Sequence, residues 1–258
     1  MHAPSDFPLT RCSIVHATGS DDPRLRGQAW DAIVRSYWKP VYKYIRIRWS
    51  QGEDAAADLT QEFFVRAIGR GFFASYDPAR ARFRTYLRLC LDRFLSNERK
   101  AQRRLKRGGA LEHVTLDFAE AEAELASVSA PMTADTHADA FFRRESLRSL
   151  FALALERVRA EAQSEGRVVA FRAFEAYDLA PPDDPPPTYQ SVADQLGLPV
   201  TTVTNHLFAM RRLLRAAVLD ELCRVCGSER EFREEARELF GFEPDATAPR
   251  RDENSPGE

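Results

Sequence analysis

Between Arg80 and Arg107 the sequence places eleven basic residues against only two acids, Asp92 and Glu98. Four aromatic residues, Tyr76, Phe83, Tyr86 and Phe94, precede or interleave with them. This combination has a specific use on opened DNA. Arg and Lys neutralise phosphates, and aromatic faces stack on unpaired bases at roughly 1–3 kcal/mol each. Docking on duplex DNA needs the first property but not the second. Leu87, Cys90 and Leu91 read as the buried face of an amphipathic helix, whereas Tyr76, Phe83 and Arg93, near a loop and a helix start, are placed for contact with a strand.

A second constellation runs from Tyr189 to Leu207 and has the layout of a helix-turn-helix. Val192, Ala193 and Leu196 pack a first helix, with Ala193 small where the helices cross. Gly197 supplies a turn that needs a positive φ. Leu198, Val203 and Leu207 fill the shared core. Thr201, Thr202, Thr204, Asn205 and His206 then fall at the start of a second helix, where hydroxyl, amide and imidazole groups can meet base edges in a major groove. Arg211, Arg212 and Arg215 suit phosphate contacts that fix register without reading sequence. Two consecutive helices around a glycine turn also occur in proteins that never touch DNA, so the position after a linker and the Arg-rich end add weight.

Other chemistries fit less well. Asp54, Asp58 and Glu62 stand at helical i, i+4, i+8 spacing that could hold Mg²⁺, yet carboxylates on a solvated or protein-contacting helix face are far commoner. No Ser-His-Asp set, Walker loop or His-Glu zinc motif is visible, so no enzymatic activity is expected. Cys223 and Cys226 have metal or redox spacing, but no His or Cys follows to complete a zinc site, and the pair closes a helix where a redox pair normally opens one. They read as incidental. His206 has no second ligand at helical spacing and reads as a surface histidine. No metal and no cofactor is expected.

The elements that must position these groups are helical. Trp30, Ile33, Val34, Tyr37, Trp38, Val41 and Ile45 recur at helical spacing, with Pro40 suited to the first turn of a second helix beginning near Trp38-Lys39. A helix is expected from Asp54 to Ile68, ended by Gly69 and Gly71. Ser75-Tyr76-Asp77-Pro78 reads as a turn. A long helix is expected from Phe83 to Arg107, closed by Gly108-Gly109. From Ala110 to Ala140 the charge reverses to seven acids with no Lys or Arg, which reads as a mostly unstructured acidic linker with room for a short helix at Phe118–Leu125. Helices follow from Phe141 to Val158, with Leu147, Leu150, Phe151 and Leu155 as core candidates, and from Arg167 to Tyr177. A proline-rich loop at 181–187 leads to Tyr189–Leu196 and a last helix at Thr201–Cys223. The tail after Gly241 reads as frayed, and no strand pattern or repeat is found.

The fold class is therefore all-α, with two helical domains joined by a flexible acidic linker. The divisions are an N-terminal extension (1–22), a first helical domain (23–109), the linker (110–140), a helix-turn-helix domain (141–225) and a tail (226–258). Hydrophobic residues make up 44% and charged residues 29% of the chain, proportions of a globular protein and not a disordered one. No apolar run reaches the roughly 18 residues of a membrane span. The absence of a basic-then-apolar start and of a disulfide framework points to the cytoplasm.

The run Asp58-Leu59-Thr60-Gln61-Glu62-Phe63-Phe64-Val65-Arg66-Ala67 resembles the polymerase-binding helix of bacterial sigma factors of the extracytoplasmic-function (ECF) type. Phe83-Arg84-Thr85-Tyr86-Leu87, Asn97-Glu98 and the Arg-rich helix end resemble that family's promoter-melting region. Leu196-Gly197-Leu198, Thr202-Val203, Leu207 and Arg211-Arg212 resemble its promoter-reading module. The three matches keep the family's order and cover about Leu25 to Leu222.

The resemblance implies a factor that binds core RNA polymerase and directs promoter-specific initiation. Asp58, Leu59, Gln61, Glu62, Phe64 and Arg66 would bind the clamp of the largest polymerase subunit. Tyr76, Phe83, Arg84, Arg88, Arg93, Asn97, Arg99, Lys100, Arg103 and Arg104 would read and open the −10 element, capturing a flipped base. Thr201, Thr202, Thr204, Asn205, His206, Arg211, Arg212 and Arg215 would read the −35 element while the module touches the polymerase flap. The acidic linker would thread toward the basic RNA channels. An anti-sigma protein is a further partner class, and no membrane is implied. The chain departs from the family pattern at Arg93, where Asn is common, at Pro199, which leaves Thr201 as the expected cap, and at Thr204 and His206. The competing account is a conventional helix-turn-helix regulator that binds duplex DNA without polymerase.

Overall fold

The computed structural model describes residues 14–102, 116–126, 135–181 and 186–241. Ten α-helices and one 3₁₀ turn account for the regular structure there, and no strand occurs among the described residues. A short α1 (Ile14–Ala17) leads into α2 (Pro23–Arg48), which Asp22 caps by accepting the Arg24 amide at 2.8 Å. Pro23 follows at the first helical position, where its missing N–H costs nothing.

The expected break near Trp38-Lys39 does not occur, since α2 continues through Pro40. Pro40 costs the helix one internal hydrogen bond. Tertiary packing outweighs that loss: Pro40 is buried, and so is every residue from Val41 to Ile45. The helix is gripped on more than one side, by α3 (Glu53–Arg70), α5 (Phe118–Ala126) and α6 (Asp135–Ser164).

Gly71, at φ 58°, ends α3 in the left-handed conformation. Gly69 lies within the helix and does not stop it. The 3₁₀ turn Phe72–Ser75 then delivers the chain to α4 (Phe83–Gln102). Its expected continuation to Arg107 lies outside the described residues. Phe83, Leu87, Leu91, Phe94 and Leu95 form the buried stripe of α4.

Within 110–140, where a mostly unstructured linker with room for a short helix at Phe118–Leu125 was expected, the described residues are largely helical, and the short helix is α5. Helix α5 is docked against α2, and α6 begins at Asp135, six positions before the expected Phe141. Docking is ionic and specific. Arg46 holds both Glu122 oxygens, Lys39 meets Glu120 at 2.8 Å and Glu124 at 3.0 Å, and the Tyr42 hydroxyl donates to Glu122 at 2.6 Å. A sequence of acids with no base of its own finds its bases on α2.

Helix α6 packs on both α2 and α9 (Val200–Val225) and so joins the two halves of the molecule. Leu150 is buried and Leu155 partly so, but Phe151 is 38% exposed, which removes it from the core candidates. Helices α7 (Val168–Asp178) and α8 (Tyr189–Leu196) pack on α9, and a helix absent from the sequence reading, α10 (Glu229–Phe240), follows it.

Candidate nucleic-acid interface

The helix-turn-helix is built as its sequence pattern requires. Thr188 and Ser191 form a reciprocal capping box, with the Ser191 amide 3.0 Å from Thr188 Oγ1 and the Thr188 amide 2.9 Å from Ser191 Oγ. Gly197, at φ 65°, ends α8 in the left-handed region. Val192, Ala193, Val203 and Leu207 are buried together. The cap expected at Thr201 falls elsewhere: Pro199 is the N-cap of α9, its carbonyl takes the Thr202 and Val203 amides, and Thr201 is already inside the helix.

The exposed stripe of α9 runs through Thr201, Asn205, Phe208, Arg212 and Arg215, at the i+3/i+4 spacing of one helix face. Thr202, Thr204 and His206 are half-buried, and the Thr204 hydroxyl is turned back onto the Thr201 carbonyl at 2.9 Å. Arg211 lies off the stripe. It pairs with Asp178 at 2.8 Å and covers the Tyr177 ring, itself stacked on Tyr189. Phe208 is 70% exposed, the most exposed large apolar side chain among the described residues. Sequence reading passed over it, although its position one turn beyond Asn205 places it on this face.

On α3, Asp58 is exposed, and Leu59, Gln61 and Glu62 are half-buried. Phe64 is 2% exposed and belongs to the core beside Phe63. Arg66 is held between Glu62 and Glu98 and lies over the Phe94 ring, tying α3 to α4. Its first duty is internal. Asp54 and Asp58 face solvent while Glu62 is committed to Arg66, and among the described residues no group of three or more His, Cys, Asp or Glu is placed to hold a metal ion.

Around α4 the expected strand-binding residues separate into two groups. Arg93, Asn97, Arg99 and Lys100 are exposed. Arg93 and Asn97 line an open recess of about 430 Å³ whose other walls include Arg70, Phe72, Ser75 and Tyr86. The Tyr86 hydroxyl is fixed there by the Phe72 carbonyl and by Ser75 Oγ, each at 2.8 Å. A recess with three guanidinium groups, those of Arg66, Arg70 and Arg93, an amide and an aromatic wall suits an unstacked base with its phosphate.

The second group is covered. Phe83 is fully buried and Tyr76 is 8% exposed. Arg88 pairs with Asp92 at 2.8 Å and Asp139 at 3.0 Å, and Arg84 pairs with Glu235 of α10. Arg103 and Arg104 lie outside the described residues.

The cysteines are resolved differently from expectation. Cys226 is a buried free thiol, its pKa pushed up by burial, while Cys223 is disulfide-bonded, so the two are not paired with each other. No helix of the described residues is long and apolar enough to cross a membrane.

The sequence model of the family described as ECF sigma factor matches residues 26–220, which spans α2 to nearly the end of α9. No curated protein and no solved structure matches the chain.

Proposed function

Because the chain belongs to the ECF sigma factor family, whose members act with RNA polymerase in promoter-specific initiation of transcription, we propose the following division of labour within it. The face of α3 around the exposed Asp58, with the half-buried Leu59, Gln61 and the Arg66-paired Glu62, binds core polymerase at the clamp of its largest subunit. Arg66 holds that face in register by tying α3 to α4. The recess bounded by Tyr86, Arg93 and Asn97 receives a base flipped from the −10 element, with Arg99 and Lys100 on the adjoining phosphates. The stripe Thr201, Asn205, Phe208, Arg212 and Arg215 enters the major groove of the −35 element, where Asn205 donates and accepts hydrogen bonds at a base edge and the arginines fix register.

The observation that carries this reading is the coexistence, on one chain, of a well-formed helix-turn-helix with a second basic and aromatic recess. A regulator that only docks on duplex DNA has no use for the recess. Promoter opening needs both, because one element must be read closed and the other open. The unit that reads the −10 element and the unit that reads the −35 element correspond to the first and second halves of the chain.

Binding to purified bacterial core polymerase, followed by run-off transcription on promoter fragments, tests the proposal. The chain is expected to bind core, Asp58→Arg to weaken that binding, and start sites to depend on the chain. Tight binding to specific duplex DNA together with indifference to core would overturn it in favour of a conventional regulator.

A further inference from the structure

We infer that α10 is an autoinhibitory latch, an acidic helix that occupies the strand-binding cations at the start of α4 until DNA or core polymerase displaces it. The inference rests on the sigma-factor reading for what the latch inhibits, and on the following contacts for its existence.

Glu231, Glu234, Glu235 and Glu238 stand at i, i+3, i+4 and i+7 and so share one face of α10. That face lies against the segment that enters α4. Arg82 meets Glu235 at 2.7 Å, Glu238 at 2.8 Å and Glu234 at 3.4 Å. Arg84 pairs with Glu235, and Arg143 of α6 pairs with Glu238. Arg82 and Arg84 belong to the basic run whose chemistry suits phosphate. In this state a carboxylate row, spaced along a helix, stands where a phosphate row would lie.

Beneath the ion pairs sits a more specific contact. The buried Glu231 carboxylate accepts the Phe83 amide at 2.8 Å, the Gly227 amide at 2.8 Å and the Tyr76 hydroxyl at 3.1 Å. It thereby caps α4 from another part of the chain, since an acidic group at a helix N-terminus meets unpaired amides there. Gly227 lets the backbone pass directly over the Tyr76 ring. At its far end α10 lays the Phe240 ring 5.7 Å from the Arg215 guanidinium, on the exposed stripe of α9. One helix of twelve residues therefore touches groups expected at both promoter elements.

The latch is built to release. Of its own residues only Glu231, Glu235 and Ala236 are buried, and Phe232, Leu239 and Phe240 are partly buried. Its outer pairs, Arg82 with Glu234 and Glu238 and Arg143 with Glu238, are partly solvated, so salt and competing polyanions weaken them. Arg82 can face Glu238 or a phosphate but not both, so binding of a strand and docking of α10 oppose each other. The coupling is reciprocal, as linkage requires.

The test compares the full-length chain carrying Glu234→Gln, Glu235→Gln and Glu238→Gln with a control of equal lost charge, Glu156→Gln, Glu165→Gln and Glu175→Gln. Affinity for a fluorescent mixed-sequence single-stranded DNA is measured at low salt, with core binding measured in parallel. The latch variant is expected to bind the strand about tenfold more tightly than the control, the scale of gaining a few phosphate contacts. Equal affinity of the two would overturn the latch.

Hydrogen exchange on the unsubstituted chain covers the case in which the variant does not fold. The amides of 229–240 are expected to lose protection when core polymerase and strand DNA are added, and unchanged protection in a bound complex would overturn the latch as well. Failure of the unsubstituted chain to bind core would instead strike the sigma-factor reading. Core binding with no difference between the two variants would strike the latch alone.

Discussion

Lys43 Nζ lies 3.0 Å from the Glu145 carboxylate, with the two side chains 2% and 0% exposed, so that α2 and α6 are joined by a buried ion pair at the centre of the molecule. Glu124 of α5 also reaches Lys43. A buried pair is costly to assemble and costlier to break, because removing one partner strands the other. Lys43→Met leaves Glu145 with only the exposed guanidinium groups of Arg144 and Arg148. It is expected to destabilise the fold by about 3–5 kcal/mol, read by urea unfolding. The double variant Lys43→Met/Glu145→Leu should recover most of that loss. If the double variant is no more stable than the single one, the pair is not what joins the helices.

This junction also shows where sequence reading stopped. Helices α3, α7, α8 and α9 were legible because their apolar residues recur locally at helical spacing, and left-handed glycines end α3 and α8. The exposed stripe of α9 was legible only in part: Thr201, Asn205, Arg212 and Arg215 are on it, whereas Thr202, Thr204 and His206, expected beside them, are half-buried, Arg211 is held by Asp178, and Phe208 is what an apolar-means-buried reading passes over. Pairings between distant segments leave no such trace. The acids of Glu120, Glu122 and Glu124 look like a solvated linker until Lys39, Lys43 and Arg46 are brought beside them. Helix α10 did carry a local signal: Ser228 caps it by accepting the Glu231 amide at 3.2 Å, Ser228-x-x-Glu231 is the spacing of a capping box, and Gly241 follows at its end. What the local signal could not supply is that Glu231 turns its carboxylate to α4 instead of to its own cap.

Docking of α5 on α2 should depend on pH. The Arg46 guanidinium holds Glu122 below the ordinary carboxylate range, and although burial opposes it, Lys43 and Lys39 hold Glu124 below that range too. Tyr42, Glu120 and Glu145 are further titratable groups at this contact. A carboxylate whose pKa is lower folded than unfolded contributes stability that is present above about 4.3, the unfolded value, and is lost as the pH falls through the folded value. The docking is therefore expected to be intact at neutral pH and to fail progressively in acid below about pH 4. Trp38 stands 5.6 Å from Phe118, so its fluorescence reports the event. A flat signal across this range, with the fold retained, would contradict the assignment.

Gly227 is required by packing. A Cβ there would lie 2.8 Å from Tyr76 Cζ and nearer still to its neighbours, and the Tyr76 ring is walled in by Phe83 and Tyr86. Burial and the facing Glu231 carboxylate also push the Tyr76 hydroxyl pKa up, so the ring stays a neutral donor at any ordinary pH. Gly227→Ala is expected to cost about 1–3 kcal/mol by overpacking. The strain is relieved most easily by lifting α10, so hydrogen exchange of 229–240 should accelerate more than that of α2 or α6. Uniform acceleration across the chain would mean that α10 is not a separable element.

Phe208 separates stability from recognition on α9. Being 70% exposed, it contributes little to the core, and Phe208→Ala is expected to change unfolding free energy by no more than about 0.5 kcal/mol. In the proposed groove-bound arrangement Phe208 would pack on the methyl group of a thymine, and loss of a base contact costs about 1–3 kcal/mol of discrimination. Run-off transcription from a promoter the chain recognises should fall accordingly, with the preference at one −35 base pair relaxed. Val203→Ala gives the opposite signature. Val203 is fully buried under the helix crossing, so its truncation should lower the melting temperature and weaken binding at all promoters alike, without changing which base pair is preferred. If Phe208→Ala instead behaves like Val203→Ala, the exposed stripe is a surface for another protein, and the helix-turn-helix presents a different face to DNA.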